Sequence, residues 1–208
     1  MTEGKKIDLR RGLKHLYRPP TKEVVEIEVP EMRFLQIDGE GDPNTSEAFR
    51  EATEALYSIS YALKFAVKKE QGIDYGVMPL EGLWWTEKGE TDLEEILADK
   101  STWKWTLLIM QPEWATQERF ERALASTQKK KNLAALSRIR FECFREGRAA
   151  QVMHVGPFTE EGPTIERIVH YIQERGGKHR GKHHEIYLND FRRTAPENLK
   201  TIIRHPFG

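Results

Sequence analysis

The segment H-E-I-Y-L-N-D at residues 184–190 predicts a β-strand with polar groups on one face. Strand side chains alternate between the two faces of a sheet, so Ile186 and Leu188 would point to one side and Glu185 and Tyr187 to the other. A carboxylate and a phenol on a sheet face that no helix covers indicate a site rather than a core. We therefore expect the rest of the chain to supply a scaffold and an aromatic wall around this strand.

The same order of elements occurs in both halves of the chain, which indicates a tandem repeat. Each half is interpreted as a β-hairpin, a loop rich in glycine and proline, a helix, and two further strands. The hairpin turns are predicted at Pro30-Glu31 and at Glu146-Gly147. The hairpin strands are predicted at 24–29, 32–38, 138–144 and 149–155. This pattern predicts an α+β fold in which one main helix covers one face of the sheet in each half.

Helical spacing of apolar residues places the two main helices at about 44–69 and 163–175. A charged loop between strands contains a predicted short helix at 93–97. A basic helical arm at 1–20 is predicted to be solvated and to cover one edge of the domain. The remainder is predicted to be a single domain at 21–208, with a first repeat at about 21–112, a linking helix at about 115–130 and a second repeat at about 137–208.

Composition and charge argue against several classes of function. Lys plus Arg equal Asp plus Glu at 33 each, which argues against binding nucleic acid through bulk positive charge. Cys143 is the single cysteine, so no internal disulfide can form and a reducing setting is expected. No apolar run approaches the roughly 18 residues of a membrane span, and the N-terminus lacks the apolar core of a signal peptide. We expect a cytoplasmic protein that contacts neither membrane nor nucleic acid and uses no cofactor.

The five tryptophans are concentrated in one part of the chain, at Trp84, Trp85, Trp103, Trp105 and Trp114. Trp103 and Trp105 would share one face of a strand, whereas Trp84 and Trp85 point to opposite faces, so at most one of the latter pair looks into a groove. These rings could form an ordinary core. The helices already supply ample aliphatic core, however, which favours a cavity for a flat, apolar ligand with some of these rings as its walls.

Three segments together resemble the GyrI-like small-molecule-binding superfamily: P-L-E-G-L-W-W at 79–85, M-H-V-G-P-F at 153–158 and H-E-I-Y-L-N-D at 184–190. The D-G-E-G-D-P loop at 38–43 and the first segment resemble its stand-alone subgroup. Members of that subgroup are similar to cyclopropanoid cyclopropyl hydrolases, which open the strained ring of DNA-alkylating natural products. The resemblance covers about residue 21 to the end. It implies a pseudo-twofold pair of strand-helix-strand-strand units in an antiparallel sheet, with the helices on one face and a central ligand pocket.

The resemblance also implies that Glu185 is the acidic residue of that pocket, where it would hold a cationic aromatic compound or activate water. Burial among aromatic rings should raise the pKa of this carboxyl. Tyr187 and Tyr75 could donate hydrogen bonds to a substrate carbonyl. Glu81 is a second candidate acid, and its alternative interpretation is a turn carboxylate. The candidate catalytic residues are thus Glu185, Tyr187 and Glu81. The candidate ligand-binding residues are Tyr75, Met78, Trp84, Trp85, Trp103, Trp105, His154 and Phe158.

Other chemistries have weaker support in the sequence. His179, His183 and His184 lie close together in the chain, but no cysteine or regularly spaced acidic residue accompanies them, so no metal site is expected. A histidine in the position of His154 is more often satisfied at a sheet edge than catalytic. Cys143 falls on the predicted inward face of its strand and is expected to be a buried, inert thiol.

Two classes of function are compatible with these observations. A small-molecule hydrolase would turn over electrophilic, cyclopropane-bearing toxins. A non-catalytic binding module would instead sequester or sense drugs and release them intact, but a sensor would need a DNA-binding segment, and the arm at 1–20 is too short for a helix-turn-helix domain. Inhibition of a protein partner such as a topoisomerase rests on the superfamily name alone. A small molecule is the expected partner, and we expect a monomer or a weak dimer.

Overall fold

The computed structural model describes residues 6–87 and 102–208 of the chain. In this part, six antiparallel strands pair in the closed order β1-β3-β2-β5-β6-β4. The strands are β1 Val25–Glu40, β2 Leu80–Trp85, β3 Lys104–Gln111, β4 Arg140–Val155, β5 His183–Tyr187 and β6 Lys200–Pro206. The α-helices are α1 Leu9–Gly12, α2 Lys14–Tyr17, α3 Glu47–Gln71, α4 Gln117–Gln128 and α5 Gly162–Glu174. None of these helices is both long and apolar enough to cross a bilayer.

The element order confirms the predicted α+β fold and its duplication. The first half runs β1-α3-β2-β3 and the second runs β4-α5-β5-β6, so each is a strand, a helix and two strands. The sheet closes on itself as a barrel, because β1 pairs with β4 and β2 pairs with β5 between the halves. The short helix predicted at 93–97 lies outside the described residues.

The two predicted hairpins are wrong, because β1 and β4 are each one continuous strand of 16 residues. They pair in one constant register, in which Val29 lies opposite Gly147 and Glu31 lies opposite Arg145. Pro30 therefore sits in mid-ladder, where it has no N–H to donate. Gly147 has a φ of 76°, which glycine adopts at little cost. These turn-type residues mark an irregular point within a long strand and do not reverse the chain.

Helix α3 begins at a Ser46 cap, whose hydroxyl accepts a hydrogen bond from the Phe49 N–H at 3.3 Å. It ends at Gly72, which has a left-handed φ of 71°. Its apolar face joins the main core with residues such as Leu56 and Ile59. Helix α5 packs a smaller apolar cluster, including Ile168, against the outside of the second half. The first turns of both helices contribute residues to one cavity, Phe49 from α3 and Ile165 from α5.

The basic arm is not a solvated helix at an edge of the domain, because its end is inserted into the structure. Leu16 and Tyr17 are buried in the main core. Two side chains of the sheet also bind the backbone of this segment. Arg204 donates to the Leu16 carbonyl at 2.8 Å, and the Gln151 amide donates to the His15 carbonyl at 2.7 Å. The basic residues of the arm predicted a solvated helix, but its apolar end packs in the core.

A buried ionic network crosses the interior of the barrel. His184 contacts Glu146 through Nδ1 and Glu81 through Nε2, each at 3.0 Å. Arg204 donates to Glu146 at 3.1 Å, and the Tyr17 hydroxyl donates to Glu81 at 2.8 Å. Burial alone would lower the pKa of His184, but the two carboxylates raise it to about 9. His184 is therefore an imidazolium at neutral pH, and two buried cations balance two buried carboxylates.

We predict that this network stabilises the folded protein less as the pH rises into the alkaline range. A folded pKa of about 9 against an ordinary value of 6.5 means that the stabilisation is complete below pH 6.5 and is lost as the pH rises through 9. The stability advantage of the wild type over His184→Gln should shrink by up to about 3 kcal/mol over this range. Urea unfolding at pH 6.5 and 9.5 measures it. An advantage that stays constant between the two pH values would contradict a charged His184.

Candidate functional site

A cavity of about 450 Å³ lies against the outer face of strands β2 and β5, between the first turns of α3 and α5. We call it the aromatic cavity. Its walls are mostly rings and aliphatic side chains, and its polar groups come from β5, from the segment that leads into α5, and from Asn44 before α3. The lining residues are Pro43, Asn44, Phe49, Trp84, Trp103, Phe158, Thr159, Glu161, Gly162, Ile165, His183, Glu185, Tyr187 and Phe191.

The aromatic rings form two contacting groups around the cavity. Trp84 packs against Trp103 with ring centroids 5.0 Å apart, and Phe49 stacks on Trp84 at 5.9 Å. On the opposite side, Phe158 meets Tyr187 edge to face at 5.7 Å. Flat walls on both sides are suited to a flat ligand, since aromatic groups gain additional energy from stacked and edge-to-face contacts.

Gly82 creates the space for a hydrogen bond between these two walls. A Cβ atom at this position would lie 2.6 Å from Trp84 Nε1 and 3.0 Å from the Tyr187 hydroxyl. Without it, the Trp84 N–H donates to the Tyr187 hydroxyl at 3.1 Å. The glycine of P-L-E-G-L-W-W is thus required by side-chain packing in the cavity and not by a turn.

Glu185 stands in the cavity as a fixed, ionised carboxylate. His183 donates from Nε2 to Oε1 at 2.9 Å, and the Tyr187 hydroxyl donates to Oε2 at 2.7 Å. Burial raises the pKa of Glu185, but hydrogen bonds from His183, Tyr187 and Glu161 and the charge of His183 outweigh it, so the pKa falls below the ordinary 4.5. The expectation of a raised pKa was therefore wrong, because it considered the rings and not the donors.

Tyr187 remains a neutral phenol over the physiological range. Burial, followed by the negative charge of Glu185, raises its pKa well above 10. Its hydroxyl donates to Glu185 and accepts from Trp84, so both of its hydrogen-bonding functions are used in the unliganded site. Tyr187 is therefore arranged to position the carboxylate and to keep the aromatic wall in place.

Glu161 is a second carboxyl group of the cavity that the sequence did not reveal. It is 4 % exposed and forms a hydrogen bond with Glu185 that contributes to the low pKa of the latter. Two carboxyl groups that share a hydrogen bond need one proton between them. The site thus holds two carboxyl groups side by side. Its only sequence signal was an acidic pair immediately before the glycine and proline that open α5.

His183 links Glu185 to a second layer of histidines. His183 Nδ1 lies 2.7 Å from His205 Nε2, and His205 stacks on His179 with ring centroids 4.5 Å apart. Burial and then the neighbouring charge of His183 lower the pKa of His205 well below 6.5, so His205 is neutral. His184 points into the barrel, and no group of three or more potential ligands within 6–87 and 102–208 is placed to hold a metal ion.

Five of the candidate residues meet in the aromatic cavity: Glu185, Tyr187, Trp84, Trp103 and Phe158. Glu81 and Trp85 lie on the opposite face of β2, because they alternate with Trp84 along the strand. Glu81 is fully buried in the ionic network, so it is not a solvated turn carboxylate.

The other candidates also lie outside the cavity. Trp105 is fully buried behind Phe49, at 5.4 Å between ring centroids. Tyr75 packs against Trp114, 5.9 Å away, and Met78 lines a separate surface groove. His154 pairs through its two ring nitrogens with the Thr164 hydroxyl and the Pro157 carbonyl. The predicted burial of Cys143 was wrong, since its side chain is exposed on β4.

We predict that the cavity prefers cationic to neutral aromatic ligands. Glu185→Gln should raise the dissociation constant of the flat cation rhodamine 6G about tenfold or more, because an ion pair in a partly dry site is lost. The same substitution should leave a neutral polycyclic ligand such as pyrene almost unaffected, whereas Trp103→Leu should weaken both. Quenching of tryptophan fluorescence measures the affinities. Equal losses for the two ligands in Glu185→Gln would contradict a charge-based preference.

Comparisons with known proteins identify the family of the chain. Residues 22–207 match the model of the GyrI-like small molecule binding domain. No protein with a curated description matches the chain. An uncharacterized conserved protein from Listeria innocua is 39 % identical over 98 % of this chain and 100 % of its own, with a TM-score of 0.87.

Two solved structures described as hydrolases, both from Listeria innocua, are 36 % and 37 % identical to the chain, each with a TM-score of 0.84. Each covers 98 % of this chain and 100 % of its own. The family model spans nearly the whole chain and includes both repeats and every residue that lines the aromatic cavity. This protein belongs to the GyrI-like small-molecule-binding domain family.

Proposed function

We propose that this protein is a hydrolase that binds flat, apolar or cationic aromatic compounds in the aromatic cavity and adds water to an electrophilic, strained ring such as a cyclopropane. The observation that carries the proposal is Glu185, an ionised carboxylate with the Glu161 carboxyl group beside it in an aromatic pocket. The similar Listeria hydrolases support the reaction class. Detoxification is the corresponding biological role.

Substrate binding follows from the walls of the cavity. Trp84, Trp103 and Phe49 provide flat surfaces that gain contact energy with a planar substrate and also attract cations through their ring faces. Glu185 adds a negative charge, so a positively charged or electron-poor ring system is favoured over an anion. A volume of about 450 Å³ accommodates a compound of a few fused rings.

The two carboxyl groups can divide the acid and base roles between them. Glu185 accepts hydrogen bonds from His183 and Tyr187 and shares one with Glu161, and a carboxylate has about four lone-pair sites, so one remains for a water molecule. Glu185 would orient this water and take its proton as the oxygen attacks the ring carbon. Two carboxyls whose environments separate their protonation states are the arrangement that supports paired acid and base chemistry.

Ring opening balances through the proton of Glu161. The new carbon–oxygen bond forms as the strained carbon–carbon bond breaks, and the electron pair moves to a conjugated oxygen of the substrate. Glu161 would donate its proton to that oxygen. The proton that Glu185 took from water can then return to Glu161 through their shared hydrogen bond, which restores the site without a cofactor.

The alternative is a non-catalytic module that sequesters or senses the same compounds. The lowered pKa of Glu185 favours it, because a carboxylate that gives up its proton more readily is a weaker general base but still an effective counter-ion for a cation. In this alternative the ligand is recovered unchanged.

We predict that Glu185→Gln and Glu161→Gln each reduce turnover of a spirocyclic, cyclopropane-bearing indole by at least about 100-fold, since each removes one proton-transfer group. Single-turnover reactions followed by mass spectrometry measure the rate. Glu166→Gln is the matched control. Glu166 lies on α5, the helix that directly follows Glu161, and its side chain is exposed, so the turnover rate of this variant should equal that of the wild type.

A wild type that binds the compound, quenches tryptophan fluorescence and returns it unchanged would overturn the hydrolase proposal. It would leave the binding module in its place.

A further inference from the structure

His183 supplies the counter-charge of Glu185 inside the aromatic cavity. Within the described part of the chain, Glu185 forms hydrogen bonds with His183, Tyr187 and Glu161. Of these three partners, only the histidine can carry a positive charge. His183 is 2 % exposed and lines the same cavity as Glu185. A carboxylate removed from water needs compensation by charge or hydrogen bonds, so the charge on His183 decides how the site accommodates a charged ligand.

The hydrogen bonds of His183 and His205 limit where their protons can lie. A carboxylate only accepts, so His183 Nε2 carries the proton of the 2.9 Å bond to Glu185. One further proton lies between His183 Nδ1 and His205 Nε2, which are 2.7 Å apart. The remaining ring nitrogen, His205 Nδ1, is buried and has no hydrogen-bond partner among residues 6–87 and 102–208. The two rings together therefore hold either two protons and no charge, or three protons and one positive charge.

The pair can pass between these two states without losing a hydrogen bond. With three protons, His183 is an imidazolium that donates from Nδ1 to His205, whose own proton lies on Nδ1. When that third proton leaves to water, the shared proton lies on His205 Nε2 and is donated to His183. His183 donates to Glu185 in both states, and His205 is neutral in both, in agreement with its lowered pKa.

The other titratable groups around the pair have different roles. His179 stacks on His205, so a charge on His179 would oppose a charge on the pair. Lys182 lies over the ring of Trp85, which lines the opposite face of β2. Tyr187 stays neutral, since burial raises its pKa well above 10. The ionised groups in the barrel behind β5 are paired with one another: Glu81, Glu146, His184 and Arg204.

A cation bound beside Glu185 would take over the role of the charge on His183. Two positive charges would then face one ionised carboxylate in a partly dry site, where like charges repel strongly. Release of the third proton from the histidine pair removes this repulsion. A neutral ligand brings no charge, so His183 stays protonated as the counter-ion of Glu185.

We propose that His183 determines the ligand specificity of the aromatic cavity by exchanging a proton for a cationic aromatic ligand. A neutral compound binds while His183 is charged, and a cation binds while His183 is neutral, so one cavity accepts both classes with its charges balanced. This inference rests on the proposed binding of aromatic compounds and not on hydrolysis. Proton release and cation binding are reciprocally coupled, so the affinity for a cation must rise as the pH rises.

The test compares 10-methylacridinium, a permanent cation, with 9-methylanthracene, a neutral compound of the same shape. Quenching of tryptophan fluorescence gives their dissociation constants between pH 5.5 and 8. The affinity for the cation should rise by up to about tenfold per pH unit where one proton is released, and that for the neutral compound should stay constant. Glu185 itself does not contribute, because its pKa lies below 4.5. Calorimetry in two buffers of different ionisation enthalpy should show proton release with the cation alone.

Three variants identify the source of the proton. His183→Gln keeps a donor for Glu185 but cannot become charged, so its affinity for the cation should not change with pH. Glu161→Gln should retain the pH dependence, because the proton does not come from the carboxyl beside Glu185. His170→Gln is the matched control: His170 is exposed on α5 and pairs with Glu174, so this variant should follow the wild type. Thermal unfolding confirms that each variant is folded.

Wild-type affinity for the cation that stays constant with pH, or the same pH dependence for the neutral compound, would overturn the exchange whether or not His183→Gln folds. So would a pH dependence that persists in His183→Gln or disappears in Glu161→Gln or His170→Gln. Binding of both compounds without proton release would overturn this inference alone and leave the proposed function standing. If neither compound bound, the inference and the proposed binding would fail together.

Discussion

Alternation of side chains along the paired strands β2 and β5 sets both the interior and the cavity of this protein. Glu81 and His184 point into the barrel, whereas Trp84 and Glu185 point outward to the aromatic cavity. Because strand side chains repeat every two residues, a shift of either strand by one residue would exchange these sets. The register also places Gly82 opposite Glu185. Because glycine has no side chain, this position leaves room for the Trp84 indole and the Tyr187 hydroxyl.

The two faces hold charge in different ways. In the interior, Glu81 and Glu146 are matched by His184 and Arg204, so each charge removed from water has a partner of the opposite sign. In the aromatic cavity, Glu185 is stabilised mainly by hydrogen-bond donors, and Glu161 adds a second carboxyl. A network whose positive and negative charges balance stabilises the fold. A site with an excess of carboxyl groups can bind a cation or take part in a reaction. The buried glutamates therefore have different roles, which the sequence alone does not distinguish.

Much of the fold could be predicted from the sequence, because duplication, helical stripes and strand alternation are local patterns. The hairpins failed because Pro30 and Gly147 are turn-forming residues, and only the pairing of β1 with β4 shows that the chain continues through them. Alternation placed Glu185 and Tyr187 on one face correctly. It could not show that Trp105 lies behind Phe49 or that Glu161 reaches Glu185, since both facts depend on how helices pack on the sheet.

The central claim is that Glu185 lies in a hydrolytic site and not only in a binding pocket. The most direct test is incubation of the wild type with a cyclopropane-bearing spirocyclic indole in water enriched in oxygen-18, followed by mass spectrometry of the product. The account predicts one heavy oxygen atom in each ring-opened molecule, with no such product formed by Glu185→Gln. Ring-opened product that carries no label, or equal labelling by the variant, would contradict it.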